Sequence, residues 1–326
     1  MKKKLLIFGG EGYIGRVVQD ELNLKNYKCV SFDNLIYEKN KKNYLKKNKN
    51  RQIVFGNIKD VQKIEKLLKD FDFVLILAGL VGDPITKSYP LLSKKINENY
   101  IKKLINTCLT SKIERLIFVS TCSNYGISKN NTRLKENAPL RPISLYAKSK
   151  VKIEKFILSK KYKTRKICTI LRFATAFGSS PRMRFDLTLN EFVKTMFNNK
   201  ILEIYDKDTW RPYCHVKDFA KIIDKVFKAA KRKVFFEVFN AGSSKNNFTK
   251  LMIVQKIKKF FKNRKKIKFV DNSKDMRNYE VNFDKIRRKL NFISNWTLEK
   301  GIKEIAIKLT KQKYPKSSNG NYKIYN

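Results

Sequence analysis

The chain predicts an α/β fold: a doubly wound parallel sheet with a smaller second lobe toward the C-terminal end. Three observations predict it. Short apolar runs rich in β-branched residues alternate with helical patterns. A glycine-dense turn, "IFGGEGYIG" at residues 7–15, joins the first run to the first helical pattern. An acidic residue closes the second run, in "SFDNL".

The elements follow in order. The opening "MKKKLLIFGG" has the positive end and apolar run of a secretory leader. Its apolar run stops after about four residues, short of the roughly 7–15 a leader needs. It reads instead as a first strand, "KLLIF", in a cytoplasmic protein. The strands "KCVSF", "QIVF", "FVLILA" and "RLIFVS" follow, with helical patterns at 13–24, 60–70 and 91–112 between them. The segment "KKNKN", 46–50, reads as a solvated loop. A helix near 145–160, the strand "CTILRF", a helix over 216–231 and the strand "FFEVFNAG" continue the alternation. Residues 1–175, with 201–242 returning to them, form the main domain. Residues 176–200 and 243–310 fit the alternation less well and form the second lobe. The stretch "KQKYPKSSNGNYKIYN", 311–326, is a polar tail expected to fray.

Bulk composition sets limits. Of 326 residues, 42% are hydrophobic, enough for a sizeable core. No apolar stretch approaches the roughly 18–20 residues that span a bilayer, so no membrane insertion is expected. Five cysteines without metal-ligand spacing suggest reduced thiols, and a single histidine speaks against a zinc site; no metal is expected. The net charge of +46 invites a nucleic-acid reading. The excess is mostly lysine, however, spread along the whole chain, whereas a nucleic-acid binder concentrates charge on one face and interleaves aromatics. No nucleic-acid partner is expected, and the field favours an anionic substrate.

The glycines have a physical reading. Gly9 lets the chain turn sharply at the end of a strand. Gly12 lacks a side chain, so a pyrophosphate can approach the backbone. Gly15 lets the new helix pack closely against the sheet. Free N–H groups at the helix start favour phosphate charge. This is a Rossmann-like dinucleotide turn, although the spacing is GxxGxxG rather than GxGxxG. Asp33, eighteen residues after Gly15, can bind both ribose hydroxyls of NAD and repel the extra phosphate of NADP. Lys39, Lys41 and Lys42 lie nearby and soften that discrimination; the reading is NAD.

"SLYAKSK" spaces Tyr146 and Lys150 four residues apart, on one face of a helix. A phenol is a poor base at neutral pH, with an unperturbed pKa near 10. An adjacent ammonium favours the phenolate, and a shift of about three units takes roughly 4 kcal/mol. Upstream, "FVSTCSNYG" sets the Thr121 hydroxyl at the C-terminal edge of the fifth strand, where ligands of open α/β sheets bind.

Glycine turn, strand-end hydroxyl and YxxxK in this order resemble the short-chain dehydrogenase/reductase superfamily. Specifically, residues 4 to about 303 resemble its extended branch, the NAD-dependent nucleotide-sugar epimerase/dehydratase family. "FGGEGYIG" resembles TGGxGFIG. "VFGNIKD" resembles GDIxD, with Asn57 for the usual Asp beside the adenine, and "LILAG" resembles HLAA. Asn97 in "INENYIKKLINTC" matches a buried helix asparagine. "STCSNYG" resembles SSxxVYG, and "PLRPISLYAKSK" resembles PxSxYxxSK. "LRFATAFG" resembles LRxxNVYG, with Thr175 for Asn. "RPYCHVKDFA" resembles RDYxHVxDxA, with Pro212 for Asp. "VFNAG" resembles FNVG, and "DMRNYEVNFDKI" resembles the late segment whose arginine clasps the nucleotide diphosphate.

The resemblance implies a catalytic set. Tyr146 takes a proton from a sugar hydroxyl, Lys150 binds the nicotinamide ribose and tunes Tyr146, and Thr121 bonds the same hydroxyl. Hydride passes from a sugar carbon, C4 by preference, to NAD. The implied cofactor site comprises Gly9, Gly12, Tyr13, Ile14, Gly15, Asp33, Asn34, Asn57, Ile58, Leu77, Ala78 and Asn97, with Tyr146 and Lys150. The implied substrate site comprises Gly82, Thr175 and Arg184, with Arg211 and Arg277 on the diphosphate. Arg182 and Asp186 are further candidates. His215 packs structurally. A homodimer formed through the helices near 91–112 and 145–160 is also implied, and cell-surface polysaccharide synthesis is the family's usual setting. A 4,6-dehydratase adds an Asp–Glu pair after the catalytic Thr for the elimination. Cys122 and Ser123 stand there and cannot readily replace a carboxylic acid. The sequence therefore favours an epimerase, with a dehydratase, a net sugar dehydrogenase or a 4-ketoreductase as alternatives. A non-enzymatic nucleotide- or nucleic-acid-binding module is a remote one.

Overall fold

Leu5 and Ile7 of the first strand enter one buried cluster, and Leu6 and Phe8 enter another. A strand apolar on both faces must be covered on both faces, which is what a doubly wound sheet supplies. The structure is a computed structural model. It describes residues 2–128, 132–261, 267–270, 277–311, 314 and 320–325. Parts of the expected lobe and of the expected tail lie outside the described residues.

In chain order the strands are β1 (Lys3–Phe8), β2 (Tyr27–Asp33), β3 (Ile53–Phe55), β4 (Phe73–Ile76), β5 (Arg115–Thr121), β6 (Ile167–Phe173), β7 (Thr175–Phe177), β8 (Leu202–Tyr205), β9 (Trp210–His215), β10 (Glu237–Ala241), β11 (Asn247–Thr249) and β12 (Ile267–Val270). Seven form the main sheet in the order β10-β6-β5-β4-β1-β2-β3. Every pairing in it is parallel. These are the seven strands expected from the sequence. The order reverses between β1 and β4, and the crevice outside the strand ends at such a switch point is where ligands bind.

The lobe uses smaller sheets. β9 lies between β7 and β11, and β8 pairs with β12. Within the stretch 201–242, β8 and β9 pair outside the main sheet, whereas β10 pairs with β6 inside it. A third apolar cluster, including Phe177, Leu189, Phe192, Ile253 and Ile302, forms the lobe's core.

Three local differences have physical causes. The expected helix over 91–112 is interrupted: Pro90–Lys94 and Ile101–Thr110 flank a π-helical turn, Lys95–Tyr100. That turn carries Asn97, whose side chain donates to the Leu80 carbonyl (3.0 Å) and accepts from the Leu80 N–H (2.8 Å). A second difference is that the helix Lys41–Lys47 reaches into the stretch expected as a loop. Third, residues 320–325 do not fray: Asn321 is buried, and the Tyr325 N–H donates to the Ile36 carbonyl at 2.8 Å.

His215 is structural, as expected. Its Nδ1 accepts from the Lys217 N–H (3.2 Å), capping the helix that follows. Its Nε2 meets Glu304 at 2.8 Å, and its ring stacks on Trp296 at 3.8 Å. Gly178 sits at φ +111°, and a Cβ there would come within 2.2 Å of that ring, so only glycine fits.

Candidate active site

A cavity of about 630 Å³ opens at the switch point, between the C-terminal ends of β1, β2, β4 and β5 and the second lobe. Gly9 turns the chain out of β1 at φ +81°, where a Cβ would lie 2.7 Å from the Ala78 nitrogen. Gly12 is different. A Cβ there would meet only the Gly9 carbonyl, at 3.3 Å, on the cavity side of the turn. It begins the helix Tyr13–Asn23 with no side-chain cap, so the first N–H groups face an open cradle. Gly15 allows a close approach to the turn itself rather than to the sheet: a Cβ would strike the Gly10 carbonyl oxygen at 2.5 Å. This cradle fits a pyrophosphate.

Asp33 ends β2 beside the turn. One carboxylate oxygen accepts from the Glu11 N–H (3.0 Å) and the other from the Leu35 N–H (2.8 Å). Burial pushes its pKa up to about 6, against those two bonds. Tyr13, Ile14, Asn34, Asn57, Ile58, Leu77 and Ala78 line the same cavity. The Tyr13 phenol, however, turns into the second lobe and donates to the Gly178 carbonyl at 2.7 Å. Asn97 stands behind the wall, fixing the loop after β4, and is not among the lining residues.

Thr121, Tyr146 and Lys150 all line the cavity. Thr121 is the last residue of β5, and its hydroxyl accepts from the Ser123 N–H (3.1 Å). A hydroxyl that accepts there can still donate into the cavity. Ser144 caps the helix Leu145–Leu158, which fixes Tyr146 in its first turn. Lys150, one turn on, is buried; its ammonium donates to the Val119 carbonyl (2.7 Å) and lies 5.7 Å from the Tyr146 ring centre. Burial lowers the Lys150 pKa to about 7, with the Glu154 carboxylate opposing. Burial also raises the Tyr146 phenol, against the pull of Arg184. That is the direction burial sets; on the sequence reading, the phenol is activated by Lys150 together with the positive nicotinamide ring. Desolvation is the largest influence on both groups because both side chains are buried.

On the substrate side, Arg211 and Arg277 come together. Arg211 is buried over the Tyr279 ring (5.3 Å) and donates to the carbonyls of Trp210 (2.8 Å) and Arg277. Arg277 pairs with Asp83 at 3.0 Å and reaches Ser123 Oγ at 3.5 Å. Arg184 pairs with Asp186 (Nε to Oδ1 3.0 Å) and stands 3.3 Å from a Cβ placed on Gly82. Gly82 and Thr175 line the cavity too. Cys122 turns away: its thiol is buried against the Arg172 carbonyl at 3.2 Å. Tyr37, Lys250, Asn321 and Tyr322 also line the cavity and were missed, since none belongs to a local motif; Tyr279, inside "DMRNYEVNFDKI", lines it as well.

A glycine cradle, a buried acid at the next strand end and a Thr–Tyr–Lys set define an NAD-dependent enzyme of the extended short-chain dehydrogenase/reductase class. The comparisons agree. The model of the NAD dependent epimerase/dehydratase family matches residues 5–242, and the chain belongs to that family. NAD is its cofactor. An uncharacterized protein of Methanocaldococcus jannaschii is 26% identical over 93% of this chain and 95% of its own length. The uncharacterized UDP-glucose epimerase YtcB of Bacillus subtilis is 28% identical over 74% and 77%. Among solved structures, the UDP-glucose 4-epimerase of Thermotoga maritima with UDP-glucose superposes with TM-score 0.84 at 24% identity, covering 94% of this chain and 99% of that one. The UDP-glucuronic acid 4-epimerase of Bacillus cereus, with UDP-glucuronic acid and NAD, gives 0.82 at 23% over the same shares.

Proposed function

We propose that the chain is a nucleotide-sugar epimerase that oxidises a sugar hydroxyl, C4 by preference, to a transient ketose and returns the hydride to the other face. The observation that carries this is the pair after Thr121. Cys122 is buried away from the cavity and Ser123 is a hydroxyl, so neither position after Thr121 supplies the carboxyl acid that would expel water. In this reading Tyr146 takes the hydroxyl proton and Thr121 holds the same oxygen. Lys150 bonds the cofactor ribose, and Arg211 and Arg277 grip the diphosphate. When bound, NAD supplies a hydride acceptor that gives the hydride back, and a positive ring beside the phenol. The bordering family members at the level of sequence include named UDP-sugar epimerases, which supports the same reading.

The test is mass spectrometry of nucleotide sugars incubated with enzyme and NAD, with isomers separated and NADH absorbance followed. An isomer of unchanged mass without NADH is expected. Loss of water would make the enzyme a dehydratase; loss of two hydrogens with accumulating NADH would make it a dehydrogenase.

Asp33 gives a pH prediction. Its folded pKa of about 6 lies above the ordinary 3.8. The folded state therefore gains stability from this group as pH falls between those values and loses it as pH rises, the reverse of a salt-bridged carboxylate. Ribose hydroxyls need the ionised form as acceptor. NAD affinity should thus fall as pH drops through about 6, while Asp33→Asn binds weakly at every pH. Titrations of NAD on both sides of that value decide it; a flat wild-type profile would remove Asp33 from the ribose site.

A homodimer is part of the proposal. Leu91, Leu145 and Leu158 expose apolar surface on the helices expected to pair, and a monomer in sedimentation would overturn it. Five free, buried cysteines support a cytoplasmic setting. No helix among the described residues is long and apolar enough to cross a membrane.

A further inference from the structure

Arg182 comes from the second lobe yet serves the first. The Ser180 hydroxyl donates to the Tyr13 carbonyl (2.7 Å) and accepts from the Arg182 N–H (3.2 Å), which docks this segment on the first turn of the helix after the glycine cradle. The guanidinium is buried, lies 4.8 Å over the Tyr37 ring and faces the cavity. Its side-chain partner is neutral: Nη2 donates to Asn321 Oδ1 at 3.0 Å. The nearest carboxylate among the described residues, Glu38, stands 4.0 Å away. Arg184 nearby adds like charge, and burial and that charge together pull the Arg182 pKa below its usual range. Glu38 at that distance, with Asp33 also opposing, offsets the buried charge only in part, so an arriving anion would be stabilised there. The anion for which the neighbouring cradle is shaped is a diphosphate.

Asn321 belongs to the segment 320–325, which ties three walls together. Its Nδ2 donates to the Val81 carbonyl (3.4 Å), the Tyr325 N–H bonds Ile36 (2.8 Å), and Tyr322 lines the cavity. We propose that Arg182 grips the pyrophosphate of the dinucleotide from the second lobe, and that Asn321 is the positioning residue that holds the guanidinium over it. A planar fork suits that task. The diphosphate of the substrate is the other source of the same chemistry.

The test measures NAD and UDP binding to the full-length chain and to Arg182→Lys, Arg182→Gln and Asn321→Ala variants, by calorimetry and by the NAD dissociation rate. Adenosine, which lacks the pyrophosphate, reports whether each variant keeps a folded nucleoside site. Arg182→Gln should weaken NAD about tenfold or more with adenosine unchanged. Arg182→Lys should recover part of the loss. Asn321→Ala should speed NAD release several-fold, and UDP should bind within about twofold throughout. Unchanged NAD affinity in Arg182→Gln would overturn the proposal. So would loss of UDP with NAD retained, which would assign Arg182 to the substrate. The readout is binding alone, so its failure leaves the epimerase reading standing.

Discussion

Replacing Tyr146 by Phe should lower kcat by roughly 10²–10⁴-fold, the range expected when a general base is removed. That is about 3–5 kcal/mol of transition-state stabilisation. The ring keeps its place in the first turn of the helix, and only the hydroxyl is lost. NAD binding and the melting temperature should therefore stay close to wild type, which separates lost chemistry from lost structure. The burial of both side chains sharpens the expectation. Burial raises the phenol's pKa and lowers that of Lys150 to about 7. Tyr146 becomes a competent base only when further positive charge arrives, so its activation is tied to a loaded cofactor. Single-turnover rates measured across pH with the enzyme saturated in NAD check this. Full turnover by Tyr146→Phe would end the assigned mechanism, whatever the substrate.

What the sequence disclosed follows from how local each cause is. The central strands β1, β4 and β5 could be read because both faces are buried, so each carries a short unbroken apolar run such as "LLIF" or "LIFV". The glycine cradle and the Tyr146–Lys150 spacing could be read because backbone sterics and helical repeat act within a few residues. The interruption of the long helix could not. It depends on Asn97 satisfying both backbone groups of Leu80, seventeen residues away. Nor could the membership of β8, which is decided by β12. Asn321 lies in a polar stretch whose composition signals fraying. It is ordered by Arg182 and Val81, partners distant in sequence. The depth of burial of Tyr146 was hidden for a related reason. Spacing shows that a cation is near, but desolvation is a property of the assembled pocket.

The same limit hides the most consequential ion pair in the chain, for which a stability loss is predicted. Glu154 and Arg172 are both almost fully buried beneath the reacting groups. Arg172 Nη2 donates to Glu154 Oε2 at 2.7 Å, and its Nε lies 3.1 Å from each carboxylate oxygen. Asn124 donates to the same carboxylate at 2.8 Å, and Ser120 does so at 2.5 Å. The other arm of Arg172 bonds the Tyr125 hydroxyl and the Glu136 carbonyl, both at 2.9 Å. Arg172→Leu keeps the apolar bulk but strands a buried carboxylate, so it should cost about 3–5 kcal/mol in denaturant unfolding. Replacing both partners, as Glu154→Leu with Arg172→Leu, should recover part of that loss, since no uncompensated charge remains. A single-variant cost below about 1 kcal/mol, typical of exposed pairs, would refute the assignment. Glu154 lies one turn beyond Lys150 on the helix that carries Tyr146, and Ser120 immediately precedes Thr121. The pair therefore fixes that helix against the end of β6, and the Ser120 bond ties it to the end of β5. Even the double variant, refolded and stable, should lose turnover with little change in KM, because the geometry among Thr121, Tyr146 and Lys150 would no longer be held.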